Sequence, residues 1–539
     1  LFKLLKAPWR NLSALVIAML LAISAFSQNN LYQTGVWNVS SLNQSQLEGY
    51  NNVLNSVPAN QIFPIDIGNL AALQSGGRIK VTLPESICGE TIFRAKHSEY
   101  ESESNYTWYA EIEPPDTFAC SEGYMLIKSR GGRRFGEIRI EDDFYAIEDF
   151  GGVNAAVKLP ILNEKSGVCE GGVLPEEEEI NEEDPIEIRT EENCDVRVLV
   201  LYTPSAETRV ANIQASVQLL IAQANQAFRN SSIFGPQLTV TLAAAEEIAI
   251  DETGATIRNI LFSLRADATA QARRNFHDAD VVMLLVNKLI TDQTETAAGI
   301  AFLGPFNQSA YGVARISQMD IGFVFAHELA HIFGANHEPC DAEDAGTNCE
   351  DLGTIEHAHT WTFERPCGFL GLSRCPVKRR TIMYSSGAGS SEVIPFFSNP
   401  DVFSGDHPTG IANERDNARL LRGNACTIAN FRGATDELIV RIAGENYVCP
   451  TSFISLNASV SGAPGPYSYE WSTTLDGINW TVVSTASFLS INGWEYNVGD
   501  FIYIRLRVTT NTQTATWWHS VDIVDTGHNT LCLRGGEIN

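Results

Sequence analysis

Three of the chain's ten histidines fall within the stretch HELAHIFGANHE. His327 and His331 are spaced by one helical turn, so on a helix both imidazoles project from one face and can reach the same ion. Gly334 tolerates the left-handed conformation that ends a helix, which allows the chain to return His337 as a third ligand. Three imidazoles leave one position of a tetrahedral Zn²⁺ open, which is typical of a catalytic zinc site.

A carboxylate stands directly beside the first histidine. Glu328 can reach a water molecule in the open metal position, take its proton and pass it to a leaving amine. The residues form the pattern H-E-x-x-H-x-x-G-x-x-H. The alternative, histidines that only fill a buried helix, requires chance agreement at every specified position of that pattern. The pattern predicts hydrolysis of peptide bonds.

The elements that position these residues are predicted from the apolar pattern. Asp320 is expected to cap the histidine-bearing helix, and a second helix is expected to begin at Thr203 and Pro204 and to run to about Phe228. A third helix is predicted over IRNILFSLRADATAQARR. Strands are predicted over VRVLVLY, QLTVTL, ADVVMLLV, GIAFLG and YGVARIS. Strands that alternate with helices predict an α/β domain over residues 194–433.

The motif and the later TIMYSSG segment with Met383 resemble the metzincin clan of zinc endopeptidases. The wider sequence, from VRVLVLYTPSAE through ADVVMLLVN to FFSNPDVFSGDHPTGIANERDNARLL, is most similar to the bacterial reprolysin-like (adamalysin-like) branch. The resemblance implies a twisted sheet, an active-site helix, a Met-turn, one catalytic Zn²⁺ and protein or peptide substrates. It makes His327, His331 and His337 the zinc ligands, Glu328 the general base and Met383 the Met-turn residue.

Two positions depart from the patterns of these relatives. Glu338 follows the third histidine, as in astacins, whereas adamalysins usually have Asp there. Astacins also place a zinc-binding Tyr two residues after the Met, but here Tyr384 follows Met383 directly. The tyrosine ligand is therefore not carried over to this chain.

The sequence before the α/β domain predicts three segments. Residues 1–27 combine basic residues, a short apolar run and small residues before Gln28, which predicts a cleaved secretory signal. Residues 28–173 contain short alternating runs and predict a β-rich prodomain. Between Glu176 and Glu192 there are ten carboxylates and one basic residue, Arg189, so residues 174–193 are expected to form an exposed acidic linker open to proteolysis. The acidic run lacks the ordered spacing of a calcium loop, so calcium is not indicated.

The region after the α/β domain predicts a β-sandwich of Ig-like or PKD-like type over residues 434–539. Tyr467, Tyr469 and Trp471 share one strand face, which favours a core position over an exposed binding face. The alternative is that this domain contacts a surface or a polysaccharide. Cys449 and Cys532 lie near its two ends and are candidates for a bridge.

The eleven cysteines suit an oxidising compartment, and their odd number leaves at least one thiol over. Cys169, in SGVCEGG, is a candidate thiol that holds a precursor latent by occupying the open zinc position. The alternatives are a disulfide from Cys169 to Cys88, Cys120 or Cys194, and Cys88 as a rival latency thiol.

Charge and the remaining motifs limit the function classes. A formal net charge of -28 disfavours nucleic acid and anionic membranes as partners. After signal cleavage no segment is apolar for long enough to span a membrane. His357 and His359 are expected to have surface or packing roles. We expect a secreted or cell-surface zinc endopeptidase made as a latent precursor; the alternative is a surface binding or adhesion protein with an inactive metzincin-like domain.

Overall fold

The protein is described by a computed structural model. The structure describes residues 29–33, 39–55, 57–68, 70, 73, 76–86, 88–113, 120, 122–141, 143–159, 173, 194–233, 238–287, 298–316, 323–337, 357–367, 373–384, 391–432, 438–443, 447–461, 465–475, 479–497 and 500–523. It is mostly β, with several separate sheets. In the described part of the chain, no helix is long and apolar enough to cross a membrane.

The first nine strands close into a barrel, called here the N-terminal barrel. They are β1 Asn29–Gln33, β2 Ile62–Asp66, β3 Arg78–Thr82, β4 Glu90–Ser102, β5 Asn105–Ile112, β6 Gly123–Arg130, β7 Arg133–Ile140, β8 Asp143–Asp149 and β9 Asn154–Leu159. Alternate side chains such as Phe93, Trp108 and Met125 fill the barrel interior. One helix, α1 Gln44–Leu54, packs Tyr50 edge-on against Phe150 outside the barrel.

The central sheet carries the predicted α/β segment. Its strands are β10 Asp195–Tyr202, β11 Thr239–Glu247, β12 Val281–Val286, β13 Gly299–Ala301 and β14 Tyr311–Arg315, in the order β11-β10-β12-β14-β13. All pairs are parallel except β13 with β14. The run VVMLLV of β12 is wholly buried, because helices cover a central parallel strand on both faces. The antiparallel β13 therefore forms one edge of the sheet.

The helices of this segment are shorter than the sequence predicted. They are α2 Pro204–Glu207, α3 Ile213–Asn230, α4 Ile257–Ala266, α5 Ala268–Phe276, α6 Val324–Ile332 and α7 Asn417–Ala429. The helix predicted from Thr203 to Phe228 is two helices, since the Asn212 side chain accepts from Ala215 N and caps α3. Asp267 likewise ends α4 and caps α5, so the prediction of one continuous helix there was wrong.

Short strands follow α6. They are β15 Thr360–Cys367, β16 Ser373–Arg380, β17 Ser391–Val393, β18 Phe403–Ser404 and β19 His407–Pro408. The first three form one sheet and the last two a hairpin pair. The end of β16 leads directly into Met383, which is fully buried in the same hydrophobic cluster as the inner face of α6.

The C-terminal strands form two sheets around one core. They are β20 Ile439–Ala443, β21 Tyr447–Val448, β22 Phe453–Ser461, β23 Ser468–Thr474, β24 Thr481–Ser484, β25 Phe488–Asn492, β26 Phe501–Thr509 and β27 Thr514–Ile523. Trp471 is fully buried in this core, and Tyr467 and Tyr469 pack against it, as the strand pattern predicted.

The outer face of the N-terminal barrel packs on the central segment. Tyr109, Tyr124, Leu126 and Phe135 of the barrel belong to the same hydrophobic cluster as α3 and α6. This is why β5 to β7 bury side chains on both faces.

Polar groups also cross this boundary. Gln223 Nε2 of α3 donates to the buried carboxylate of Glu137 at 2.6 Å. Arg229 of α3 forms an ion pair with Glu99 of β4 at 2.8 Å. These contacts are buried, so separating the two parts leaves charged and polar groups without partners or returns them to water.

Two disulfides decide the cysteine alternatives. Cys88 pairs with Cys120 in the barrel, and Cys194 at the start of β10 pairs with Cys426 of α7. The alternatives that join Cys169 to any of these residues, or make Cys88 the latency thiol, are therefore wrong. Cys375 and Cys449 are also disulfide-bonded. Cys169 itself lies outside the described residues.

Candidate metal centre

The three motif histidines converge at one point. Their ligand atoms all lie within 4.8 Å of one another, with His337 Nε2 at 2.9 Å from His327 Nε2 and at 3.2 Å from His331 Nε2. Helix α6 presents the first two on one face. Gly334, at a φ of 94°, then reverses the chain and delivers His337. The start of α6 differs from the prediction, because Phe323 and not Asp320 is its N-terminal cap residue.

Backbone carbonyls fix the orientation of the first two imidazoles. His327 Nδ1 donates to Ile382 O and His331 Nδ1 donates to Ala335 O, each at 2.8 Å. Each ring is thereby held as the tautomer whose Nε2 lone pair points toward the other histidines. Burial lowers the pKa of His331 to about 4 and lowers the pKa of His327 well below its usual value. A neutral imidazole is the form that binds a metal.

The donor set fits a metal ion. Three neutral ring nitrogens within one coordination radius suit a transition metal and not the hard cations Mg²⁺ and Ca²⁺, which prefer oxygen ligands. The cluster is therefore a candidate metal site, with His327, His331 and His337 as the side chains that would hold the ion.

Glu328 lies on the same helix turn and is completely buried. Its carboxylate packs against Gly299, the first residue of edge strand β13. Gly299 was not predicted from the sequence, since it lies outside the motif and only the fold brings it to Glu328. A glycine at the start of a predicted strand was the single available signal.

Two further histidines near the site have the packing roles that were expected. His357 Nδ1 donates to His337 O at 2.7 Å and so fixes the backbone of the third histidine of the cluster. His359 stacks on Trp361, with ring centroids 5.5 Å apart, and contacts Arg415. His357 thus supports the site from outside the metal cluster.

One residue from the segment before the acidic linker also reaches the central sheet. Val173 N donates to Ala301 O and Val173 O accepts from Leu303 N, each at 2.9 Å. This bridge to Phe302 is parallel. Val173 therefore occupies the edge of the strand whose first residue contacts Glu328.

Comparisons with known proteins agree with this geometry. Residues 192–397, which include the histidine cluster and Met383, match the family model Reprolysin_5, described as metallo-peptidase family M12. The predicted resemblance to reprolysin-like metzincins is confirmed for this segment.

Curated relatives match over a similar length of this chain. A peptidyl-Asp metalloendopeptidase of Stenotrophomonas maltophilia is 30% identical over 243 residues, which are 44% of this chain and 52% of the relative. One of Xanthomonas campestris pv. campestris is 28% identical over 247 residues, with the same coverage. The chain spans about half the length of the curated relatives it matches. A solved chaperone-substrate complex shares 17% identity at a TM-score of 0.33, over 45% of this chain and 35% of that chain, too little to define a common fold.

Proposed function

We propose that this chain is a zinc-dependent endopeptidase that hydrolyses peptide bonds in proteins. The observation that carries the proposal is the convergence of three neutral imidazoles beside the buried carboxylate of Glu328. In this proposal His327, His331 and His337 hold Zn²⁺. Bound there, zinc would supply a Lewis acid and would lower the pKa of the attacking water to about 7.

The residues of the chain perform the proton transfers in this proposal. Glu328 accepts the proton of the attacking water and donates it to the leaving amine. Its burial excludes bulk water from the carboxylate, which strengthens electrostatic interactions there. Met383, fully buried, and Ile382, whose carbonyl holds His327, form the floor beneath the ligands.

Cleavage beside aspartate, the activity in the names of the relatives, is proposed for this chain as well. This part of the proposal rests on a match that covers about half of the length of those relatives.

A latent, secreted precursor is the proposed organisation. Residues 1–27 would be the signal, 28–173 the prodomain, 174–193 the linker, 194–433 the catalytic domain and 434–539 a β-sandwich. The contact of Val173 with the edge of β13 supports latency, since a peptide substrate that added a strand to this edge would have to displace it. Cys169 precedes Val173 by four residues, which span at most about 14 Å, so its thiol is proposed to reach the metal position.

The C-terminal sheets suggest a second role as an attachment surface. Phe453, Phe488 and Trp494 are exposed by 65%, 50% and 59%. Exposed aromatic side chains of this kind favour contact with a polysaccharide or another surface.

The test of the peptidase proposal is digestion of a denatured protein library by the wild-type chain and the Glu328→Gln variant, each after limited cleavage of its acidic linker and each with and without a chelator. We expect the wild type to cleave only without the chelator. The variant should retain its metal but lose about 10² to 10⁴ in rate, because the general base is absent. Wild-type rates in the metal-loaded variant would refute Glu328 as the base, and a digest unaffected by the chelator would refute the metal mechanism.

A further inference from the structure

The third histidine of the cluster does not belong to helix α6. Residues 333–337 form a turn, called here the His337 turn, that follows the helix. Ala335 N is still bonded back to the helix, at Ala330 O, but Asn336 and His337 lie beyond this bond. The position of the His337 ring therefore depends on contacts that other parts of the chain make with the turn.

Two asparagines of α7 donate to carbonyls of the His337 turn. Asn424 Nδ2 donates to Phe333 O at 2.8 Å, and Asn417 Nδ2 donates to Asn336 O at 3.4 Å. The two asparagines are seven residues apart, so their side chains lie on the same face of the helix. The Asn336 side chain in turn accepts from His337 N at 2.9 Å. Helix α7 thus holds the turn at its first residue and directly before the histidine.

A second path of hydrogen bonds leads from the start of α7 to His337. Asn417 N donates to Ser398 Oγ at 2.8 Å, and Ser398 Oγ donates to His357 O at 2.7 Å. His357 Nδ1 then donates to the His337 carbonyl. Ser398 and Asn417 are completely buried, where a polar group that loses its partner is costly. The backbone on both sides of the His337 Cα atom is therefore tied to α7.

Helix α7 is itself fixed to the central sheet. Cys426 of α7 is bonded to Cys194 at the start of β10. Ala418 and Leu421 are fully buried in the hydrophobic cluster that also contains the inner face of α6. The two asparagine donors consequently stand on a rigid element, which is what the precise placement of a ligand requires.

We propose that Asn417 and Asn424 position His337 so that its Nε2 atom meets those of the other two histidines, and that they thereby set the affinity of the site for Zn²⁺. This inference rests on the proposed function and adds positioning residues to it. Loss of a group that orients a metal ligand typically lowers metal affinity about 10- to 100-fold, because the ligand must then be ordered when the ion binds.

The experiment measures the dissociation constant of Zn²⁺ for the metal-free full chain by competition with a chelating dye. Asn424→Ala removes the donor to Phe333 O, and Asn417→Ala removes the donor to Asn336 O while its backbone N–H to Ser398 remains. Each variant should bind Zn²⁺ about ten-fold more weakly than the wild type. Asn424→Gln, which keeps an amide donor on a longer side chain, should recover part of the affinity.

The matched control is Asn430→Ala, at the end of the same helix. Asn430 Nδ2 donates to Cys426 O, within the last turn of α7 and not to the His337 turn. This variant should bind Zn²⁺ with the wild-type affinity. A ten-fold loss of affinity in Asn430→Ala would show that any damage to α7 has the same effect and would overturn the assignment to the two asparagines.

A double-mutant cycle with His337→Ala separates positioning of the histidine from a general loss of stability. In the His337→Ala background, Asn424→Ala should cause no further loss of Zn²⁺ affinity, because the ring that it positions is gone. Equal losses in both backgrounds, or wild-type affinity in both asparagine variants, would overturn the inference while the peptidase function stands.

The wild type separates this inference from the proposed function. A wild type that binds Zn²⁺ but cleaves no denatured protein after limited cleavage of its acidic linker would overturn the peptidase function and leave the positioning role intact. A wild type that binds no Zn²⁺ would overturn both.

Discussion

Gly299 lies directly against Glu328: a Cβ atom added to this glycine would stand 2.6 Å from Cγ of the glutamate. Real Cβ atoms do not approach other atoms so closely, so any side chain at position 299 must push the carboxylate away. The edge strand β13 and the metal-site helix α6 are therefore fitted to each other at the proposed general base.

The first prediction concerns this contact. Gly299→Ala should displace the Glu328 carboxylate and lower peptide hydrolysis by about 10²-fold, because small misplacements of a catalytic group are costly. Metal content, measured by elemental analysis, should stay at the wild-type level. Gly423→Ala is the matched control, since a Cβ there meets nothing within 4 Å and the position is helical. A Gly299→Ala variant with wild-type kcat would show that the carboxylate tolerates the shift or is not the base.

The motif was sufficient to predict that the three histidines converge, because all of them belong to one local unit. Helical spacing sets the positions of His327 and His331, and Gly334 provides the turn that returns His337, so few long-range contacts are needed. The strands of the central sheet were likewise predictable from continuous apolar runs.

The features that could not be predicted from the sequence depend on contacts between distant residues or on competing local signals. Gly299 against Glu328 and Val173 on β13 join segments whose proximity only the assembled sheet creates. The break at Asp267 had a local signal, but the apolar period on both sides favoured one helix over a cap.

The second prediction is a pH dependence of the contact between barrel and central segment. Burial raises the pKa of Glu148 to about 8, the charge of Asp149 raises it further, and a hydrogen bond from the Ala211 backbone lowers it in part. Ala211 belongs to the loop before α3, so Glu148 lies at this boundary. A raised folded-state pKa means that the protonated form stabilises the fold, so this contribution is complete below pH 4.5 and is lost as the pH rises through 8.

Between pH 5 and pH 9, Glu148→Gln should therefore lose about 4 kcal/mol less stability than the wild type. The free energy of unfolding from denaturant titrations at the two pH values measures this difference. Glu414→Gln, at an exposed carboxylate, is the control. Parallel pH profiles in wild type and Glu148→Gln would contradict the assignment.

The third prediction concerns the C-terminal sheets. Truncation after Gly433 should preserve hydrolysis of small peptides, because the hydrophobic core around α6 is built from residues up to Phe431. Strand β27 lies beside β4 of the barrel. Removal of β27 should therefore lower the thermal stability of the barrel in the truncated precursor. Peptide turnover and thermal unfolding of the truncated chain are the measurements. Loss of the folded central segment on truncation would contradict the prediction.

The last prediction tests whether a thiol or simple steric cover keeps the proposed precursor latent. The predicted disulfide partners of Cys169 are bonded to other cysteines, since Cys88 pairs with Cys120 and Cys194 pairs with Cys426. If the Cys169 thiolate occupies the metal position, Cys169→Ala should be active early and should cut its own acidic linker, measured by peptide turnover and by the masses of the fragments. Val173→Pro is the companion variant: it removes the amide donor to Ala301 O, so it should weaken the hold on β13 while leaving the thiol in place. If Val173→Pro is active and Cys169→Ala is inactive, latency comes from steric blocking of the β13 edge. Detection of Cys169 in a disulfide by mass spectrometry would contradict the thiol mechanism directly.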